Sequence, residues 1–300
     1  MNLNHLALFH AVAEEGSMSR GAERLFISQP AVSKQVKELE AALGAPLFDR
    51  LPRGLKLTAA GEVLASYARR LFAVEAEAEQ ALKEMRGLTR GRLTLGASLT
   101  IGDYLLPPVL GVFHRRCPDI EIQLEIANTH VIRQKVSENL LDIGLTEGFV
   151  EEPQLSAEVF GSDEIIAVVP PGHVLLDCGP VTSARFCAEP LLLREPGSGT
   201  REVVERALAR LGLFVTPTLT LGSTEAIKRS VAAGLGVALV SRLAVAAEIE
   251  SGLLHSLPLS DLSIVRPLHL VRLRGKSESA AVRAFLETLN DCETKPLNPS

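Results

Sequence analysis

Three stretches of this chain put small hydroxyl residues and glycines where helices would begin. They are Ala97-Ser98-Leu99-Thr100-Ile101-Gly102, Glu195-Pro196-Gly197-Ser198-Gly199-Thr200-Arg201 and Gly222-Ser223-Thr224-Glu225. Helix N-termini present unpaired backbone N–H groups and the positive end of a dipole, so hydroxyls and glycines gathered there suit a small anion. Each stretch alone is also what ordinary Ser and Thr capping looks like. A second set lies near the start of the chain, where Gln29, Pro30, Ser33, Lys34 and Lys37 fall on one side of a short helix. An amide, a hydroxyl and two ammonium groups can read base edges and neutralise phosphate. An ordinary solvated face has the same composition, and spacing by itself does not separate the two.

Other chemistry is poorly represented. There is no G-x-S-x-G elbow, no P-loop lysine and no Ser/His/Asp set. The histidines His114, His130, His173, His255 and His269 are scattered, with His130 nearest the hydroxyl-rich stretches in the expected fold. An enzyme is therefore not expected. Cys117, Cys178, Cys187 and Cys292 form no C-x-x-C pair and have no histidine at zinc-ligand spacing, so no metal and no resident cofactor are expected. They read as free, mostly buried thiols of a reducing compartment, with redox sensing by Cys178 and Cys187 as the alternative.

These residues need elements to position them. Leu3, Leu6, Leu8, Phe9 and Val12 recur at helical spacing up to Gly16. Ser17 can cap a second helix, Met18 to Phe26, and Ser28 a third, Gln29 to Leu43, closed by Gly44. In the third, Val32, Val36 and Leu39 share the inner face. Residues Pro46 to Leu57 mix prolines, Gly54 and alternating apolar positions, which predicts a small hairpin or wing. Thr58 then caps a long helix reaching about Leu88, whose apolar positions Leu64, Tyr67, Leu71, Val74, Ala78, Ala81 and Met85 alternate at three and four residues. That heptad seam calls for a partner helix, best supplied by a second copy of the chain.

From Arg90 onward, strands alternate with helices, the pattern of an α/β domain with a largely parallel sheet. Strands are expected at Leu93–Ala97, Ile120–Ala127, Leu141–Thr146, Ile165–Val169, Leu191–Leu193, Leu219–Leu221, Val237–Val240 and Leu268–Leu273. The length of this region suggests two lobes, with crossovers near Gly161 and Val265. The expected division is a head at 1–58, a dimerising linker helix at 59–89 and a two-lobed domain at 90–300. Lobe 1 takes about 90–161 and 266–293, and lobe 2 about 162–265.

The net charge of −5 argues at first against a nucleic-acid partner. Local charge matters more. Between Met18 and Thr58, Arg20, Arg24, Lys34, Lys37, Arg50, Arg53 and Lys56 outnumber Glu23, Glu38, Glu40 and Asp49, so the rest of the chain is acidic. No apolar run is long enough to cross a bilayer and the first twenty residues show no cleavable signal pattern, so a cytoplasmic protein with no membrane partner is expected.

The run Ala22-Glu23-Arg24-Leu25-Phe26-Ile27-Ser28-Gln29-Pro30-Ala31-Val32-Ser33-Lys34-Gln35-Val36-Lys37-Glu38-Leu39-Glu40 closely resembles the helix-turn-helix of LysR-type transcriptional regulators. Leu43-Gly44-Ala45-Pro46-Leu47-Phe48-Asp49-Arg50 and Leu57-Thr58-Ala59-Ala60-Gly61 extend the likeness, and the later strand-helix pattern is similar to the family's effector domain. The resemblance implies an all-α winged helix-turn-helix head, a linker helix and a two-lobed α/β effector domain like that of periplasmic binding proteins. It places Gln29, Pro30, Ser33, Lys34 and Lys37 in the major groove, and Arg50 and Arg53 on phosphate or in the minor groove. It also implies a homotetramer built from homodimers, double-stranded DNA with an inverted-repeat operator, RNA polymerase as a partner, and a small-molecule effector whose binding changes DNA bending. One departure is Gly21, where the family usually has alanine.

Gly96-Ala97-Ser98, Ile101 to Pro107, Arg194 to Arg201 and Gly222 to Lys228 are similar to the effector sites of members that regulate carbon fixation and sulfur assimilation. That likeness makes Ser98, Thr100, Ser198, Gly199 and Thr200 effector contacts. Thr129, Thr146, Ser223 and Thr224 join them, and the effector is expected to be a small anionic metabolite. A redox-sensing member would carry its cysteine in the Gly197-Ser198-Gly199 turn, where Ser198 stands. A solute-binding protein, the other owner of such a two-lobed fold, would not carry a DNA-reading head.

Overall fold

The computed structural model of this chain describes residues 2–51, 54–85 and 91–293. Arg53 lies outside them, as does the expected end of the long helix near Leu88, and the side chains of Arg50, Ala81 and Met85 are likewise not described. The chain divides into two compact units, one formed from Met1–Lys83 and Glu138–Leu140 and the other from Glu84–Ser137 and Leu141–Ser300.

The first unit holds α1 (Leu3–Glu15), α2 (Met18–Arg24), α3 (Gln29–Leu43), β1 (Phe48–Leu51), β2 (Gly54–Leu57) and α4 (Ala59–Met85). Gly16 and Gly44 end α1 and α3 in the left-handed conformation, at φ 59° and 68°, where a side chain would be strained. Helix α2 stops at Arg24, short of the expected Phe26, because Phe26 itself turns to φ 55°. The strands β1 and β2 pair antiparallel as the expected wing. Thr58 caps α4, its Oγ1 accepting from the Gly61 N–H at 3.0 Å. Leu6, Phe9, Leu39 and Leu47 pack with Ala65 and Ala68, so the early turns of α4 complete the core of this unit.

Gly21 now has a reason. A Cβ there would stand 2.8 Å from Val12 Cγ2 and 3.0 Å from Val12 Cα, so the missing side chain lets α2 lie closely on α1.

The second unit begins with β3 (Arg92–Ser98), a π-helical turn (Ile101–Leu105), α5 (Leu106–Arg116), β4 (Glu121–Ala127), α6 (Thr129–Ser137) and β5 (Ile143–Glu147). It continues through β6 (Leu155–Val169), a 3-10 turn (Val174–Asp177), α7 (Ser183–Cys187), β7 (Leu191–Arg194), α8 (Gly199–Arg210) and β8 (Leu219–Leu221). It ends with α9 (Thr224–Ala232), β9 (Val237–Ser241), α10 (Arg242–Glu250), β10 (His255–Leu257), β11 (Ile264–Leu273) and α11 (Ala280–Glu293).

The sheet runs β4-β3-β5-β11-β6-β9-β7-β8, with β10 beside β6. Parallel strands β4, β3 and β5 form one half and β9, β7 and β8 the other. Between them β11 runs antiparallel to β6 over its whole length, from Ile264 to Leu273, and the two strands pass from one half to the other. Gly161 pairs with Leu268, beside a register shift between Leu268 and His269. The lobes thus share one sheet through two long crossover strands. The sequence reading shortens β6 to Ile165–Val169 because residues 156–159 are mostly solvent-facing and carry no apolar run. Phe113 and Phe285, edge to face at 5.5 Å, anchor the core of the first half. Phe186, Leu193 and Leu239 lie in that of the second.

Candidate functional site

In the first unit, α3 turns Val32, Val36 and Leu39 inward and leaves Gln29, Pro30, Lys34 and Lys37 exposed, with Ser33 half-buried. Gln29 Nε2 donates to Ser33 Oγ at 3.5 Å, one turn on. Lys34 lies 3.8 Å from Glu38, an exposed pair of little energetic weight. Arg24 is drawn to Glu14 and Glu15, and Arg20 to the Glu15 backbone carbonyl. Arg20 and Arg24, two of the seven cations counted in the sequence, are therefore spent within the head, and Lys34 and Lys37 carry positive charge on the outer face of α3. Ser28 occupies the cap position of α3, but its hydroxyl makes no capping bond. An exposed hydroxyl beside free helix N–H groups is a phosphate-binding arrangement. Sequence reasoning assigned Ser28 to capping alone. Lys56, opposite Asp49 in the hairpin, is a further exposed cation.

Along α4, Tyr67 (62% exposed), Val74 (57%) and Leu71 (38%) line an apolar groove of about 1090 Å³ together with Leu43, Leu47 and Val63. The seam expected from the heptad spacing is thus open over this part of the helix.

In the second unit, the hydroxyls expected to bind an effector separate into two groups. Thr129 Oγ1 accepts from the Gly199 N–H at 3.2 Å, Thr200 Oγ1 from Arg266 at 2.8 Å, and Thr224 Oγ1 from Arg194 at 3.0 Å. Ser223 caps α9 by accepting from the Ala226 N–H at 3.1 Å, and Ser98 donates to Glu147. These five each make a hydrogen bond within the protein. The hydroxyls of Thr100, Thr146 and Ser198 are buried and have no hydrogen-bond partner among the described residues. A buried hydroxyl without a partner is costly.

The segments that carry these three hydroxyls are neighbours in the fold. Thr100 follows β3 and Thr146 stands near the end of β5, on neighbouring parallel strands. Ser198 opens α8 from the other lobe, and the α8 loop docks against the same strand ends. The His130 N–H donates to the Gly197 carbonyl at 3.1 Å. A Cβ on Gly199 would lie 2.6 Å from the Glu147 carbonyl, so only glycine fits. Carboxyl ends of parallel strands facing a helix N-terminus are where α/β proteins bind anions. The π-helical turn after Thr100 is an irregularity often met at functional sites.

The same region holds a charged cluster that sequence reasoning missed. Arg266, wholly sealed from solvent, donates to Asp163 and Thr200 and stands 3.4 Å from Glu147. Asp163 also accepts from Ser241 at 3.0 Å. The available signal was Arg266 itself, an ionised residue within the apolar run Ile264 to Leu273. His269, read from sequence as structural, sits opposite Thr146 in the sheet, and its buried Nδ1 has no partner among the described residues. Burial and the nearby Arg133 charge push its pKa down, against a hydrogen bond with the Gly148 backbone, which keeps the ring neutral at pH 7.

Farther along the interlobe boundary, Lys228 donates to Glu248 at 2.7 Å and lies 5.1 Å from the centre of the Tyr104 ring. Burial opposes its charge, but Glu248, Glu225 and Tyr104 outweigh that and raise its pKa above the usual lysine range. Asp103, beside Tyr104, has its carboxyl pushed up by burial, with Arg194 pulling the other way.

The cysteine pair considered from sequence is not favoured as a switch. Burial, and then Asp261, raise the Cys187 thiol away from the reactive thiolate, and Cys187 packs against the apolar core of the second lobe.

Residues 3–62 match the family described as bacterial regulatory helix-turn-helix protein, lysR family, and residues 86–292 match the LysR substrate binding domain. A probable RuBisCO transcriptional regulator of Cyanidioschyzon merolae is 35% identical, over 96% of this chain and 97% of its own. A full-length OxyR variant from Pseudomonas aeruginosa superposes with a TM-score of 0.71 at 26% identity, covering 98% of this chain and 94% of that one. The Synechocystis CcmR regulatory domain in complex with 2-PG (2-phosphoglycolate) has a TM-score of 0.64 at 29% identity, over 69% of this chain and 99% of that one.

Proposed function

This chain belongs to the LysR family of DNA-binding transcriptional regulators, and from that premise we propose that it switches a carbon-metabolism operon in response to a small phosphorylated or carboxylated anion. Thr100, Thr146 and Ser198 would hold that anion where the two lobes meet. The observation that supports the reading is their three buried, unpartnered hydroxyls, carried on neighbouring segments of the two lobes. The likeness to a domain solved with 2-phosphoglycolate, and to a RuBisCO regulator, supports the chemical class. Ser98, Thr129, Gly199 and Thr200 form the wall behind the anion, while Ser223 and Thr224 set the start of α9.

The working division is a head at 1–58, a dimerising linker helix at 59–89 and an effector domain at 90–300. The groove along α4 receives the same helix of a second copy, and two such dimers form the tetramer. The heads bind an inverted repeat through Gln29, Pro30, Ser33, Lys34 and Lys37, with Arg50 and Arg53 on the flanking backbone. An anion that bridges the lobes favours one arrangement of the paired dimers over the other. That preference changes DNA bending and the contact with RNA polymerase. The protein works in the cytoplasm, beside the DNA that it reads. No helix among the described residues is long and apolar enough to cross a membrane.

The test is thermal unfolding of the full chain against 2-phosphoglycolate, phosphoglycerate, phosphorylated sugars, sulfite, sulfate, thiosulfate and NADPH. A ligand at one hundred times its Kd adds about 2.7 kcal/mol. A stabilising compound that no longer acts on a Thr146→Ala, Ser198→Ala double variant supports the site. Equal stabilisation of both proteins places the ligand elsewhere.

A further inference from the structure

The run that leads into α3 opens on two exposed apolar residues. Phe26 is 96% exposed and Ile27 39%. Phe26 also adopts φ 55°, and with Asn139 it is one of two non-glycine residues at positive φ among the described residues. Asparagine tolerates that conformation, whereas a bulky side chain there is an outlier. The turn itself is fixed by its hydrogen bonds, from the Phe26 N–H to the Glu23 carbonyl and from the Ile27 N–H to the Ala22 carbonyl, both at 3.1 Å. Glycine or asparagine would make the same turn with less strain. The free head gains nothing from a phenyl ring on strained backbone in water, so the ring serves something outside it.

Its surroundings say what that is. Ser28, Gln29 and Pro30 follow it as a continuous exposed stretch, and Ser33 and Lys34 stand one turn farther along α3. These are the residues offered to base edges and phosphate. The groove fit to receive another protein helix lies along α4 instead. We infer that Phe26 is a DNA contact, its ring packed on the apolar deoxyribose edge of the strand bordering the groove that α3 enters. This rests on the DNA-reading assignment of α3. The contact adds affinity without charge, which distinguishes it from Lys34 and Lys37.

The experiment compares full-length wild type with Phe26→Asn and Phe26→Tyr on a duplex enriched from a randomised library by the wild-type protein, titrated at several salt concentrations. Phe26→Asn relieves the turn, so its thermal stability should equal or exceed that of wild type. Its affinity should fall about ten-fold, with an unchanged salt slope. Phe26→Tyr, which keeps the ring, should bind like wild type. Undiminished binding by Phe26→Asn overturns the inference, as does a flattened salt slope. A change in oligomeric state by sedimentation would show that the ring covers a second copy, and would overturn it too. Failure of the wild type to enrich any duplex is a different result, since it removes the DNA-reading assignment itself.

Discussion

Arg266 Nη2 and Nε lie 2.6 and 2.9 Å from a single oxygen, Oδ2 of Asp163, while Oδ1 of the same carboxylate accepts from Ser241. The two residues stand opposite each other on the crossover strands β11 and β6. Arg266 further reaches Thr200 at the start of α8 and faces Glu147 at the end of β5, so one guanidinium ties the crossover strands to both lobes.

Removing one member of a buried pair leaves the other charge uncompensated. Arg266→Met should therefore cost about 3–5 kcal/mol of stability in chemical denaturation. Adding Asp163→Leu should restore part of that loss. A single variant within about 1 kcal/mol of wild type would show that the pair does little for the fold.

His269 gives a pH dependence with a definite sign. Its folded-state pKa lies below the ordinary value of 6.5, so the unfolded chain binds the proton more readily. The stability tied to a neutral ring is complete above pH 6.5 and is lost as pH falls through the folded-state value. His269→Asn should lose less stability than wild type between pH 7.5 and pH 5, as followed by melting temperature. His10, whose pKa burial also lowers, is common to both proteins and cancels in the comparison. Parallel losses in the two proteins would clear His269 of this role.

Lys34→Ala with Lys37→Ala should weaken DNA binding and reduce the slope of log affinity against log salt by about 0.9 for each phosphate no longer neutralised. Fluorescence anisotropy on a fixed duplex measures both quantities. An unaltered slope would mean that these ammonium groups do not meet phosphate.

The open stripe on α4 should be intolerant of charge. Leu71→Glu and Val74→Glu leave the core of the first unit untouched, since Ala65 and Ala68, with the half-buried Leu64 and Phe72, supply its α4 contacts. Both should shift the protein toward monomer in sedimentation and cut DNA affinity with it, because a two-fold operator needs two heads. An unchanged sedimentation profile would remove α4 from the dimer contact.

Much of this molecule is local and was therefore legible. Gly16 and Gly44 end α1 and α3 because only the left-handed conformation closes those helices. The spacing of Val32, Val36 and Leu39 determined which side of α3 faces the core, and so which side offers Gln29 and Lys34 outward. Short-range periodicity also located most strands of the second unit. The tertiary structure alone decided which hydroxyls were free. Ser98, Thr100, Ser198 and Thr200 look alike in sequence, since each sits where a helix could begin. Thr200 is occupied by an arginine 66 residues away and Ser98 by a glutamate 49 residues away, whereas Thr100 and Ser198 meet no partner among the described residues. The pairing of Arg266 with Asp163 spans 103 residues and follows from the register of two antiparallel crossover strands. Local spacing reports how a segment folds on itself, but whether a buried hydroxyl stays free depends on what distant strands bring to it.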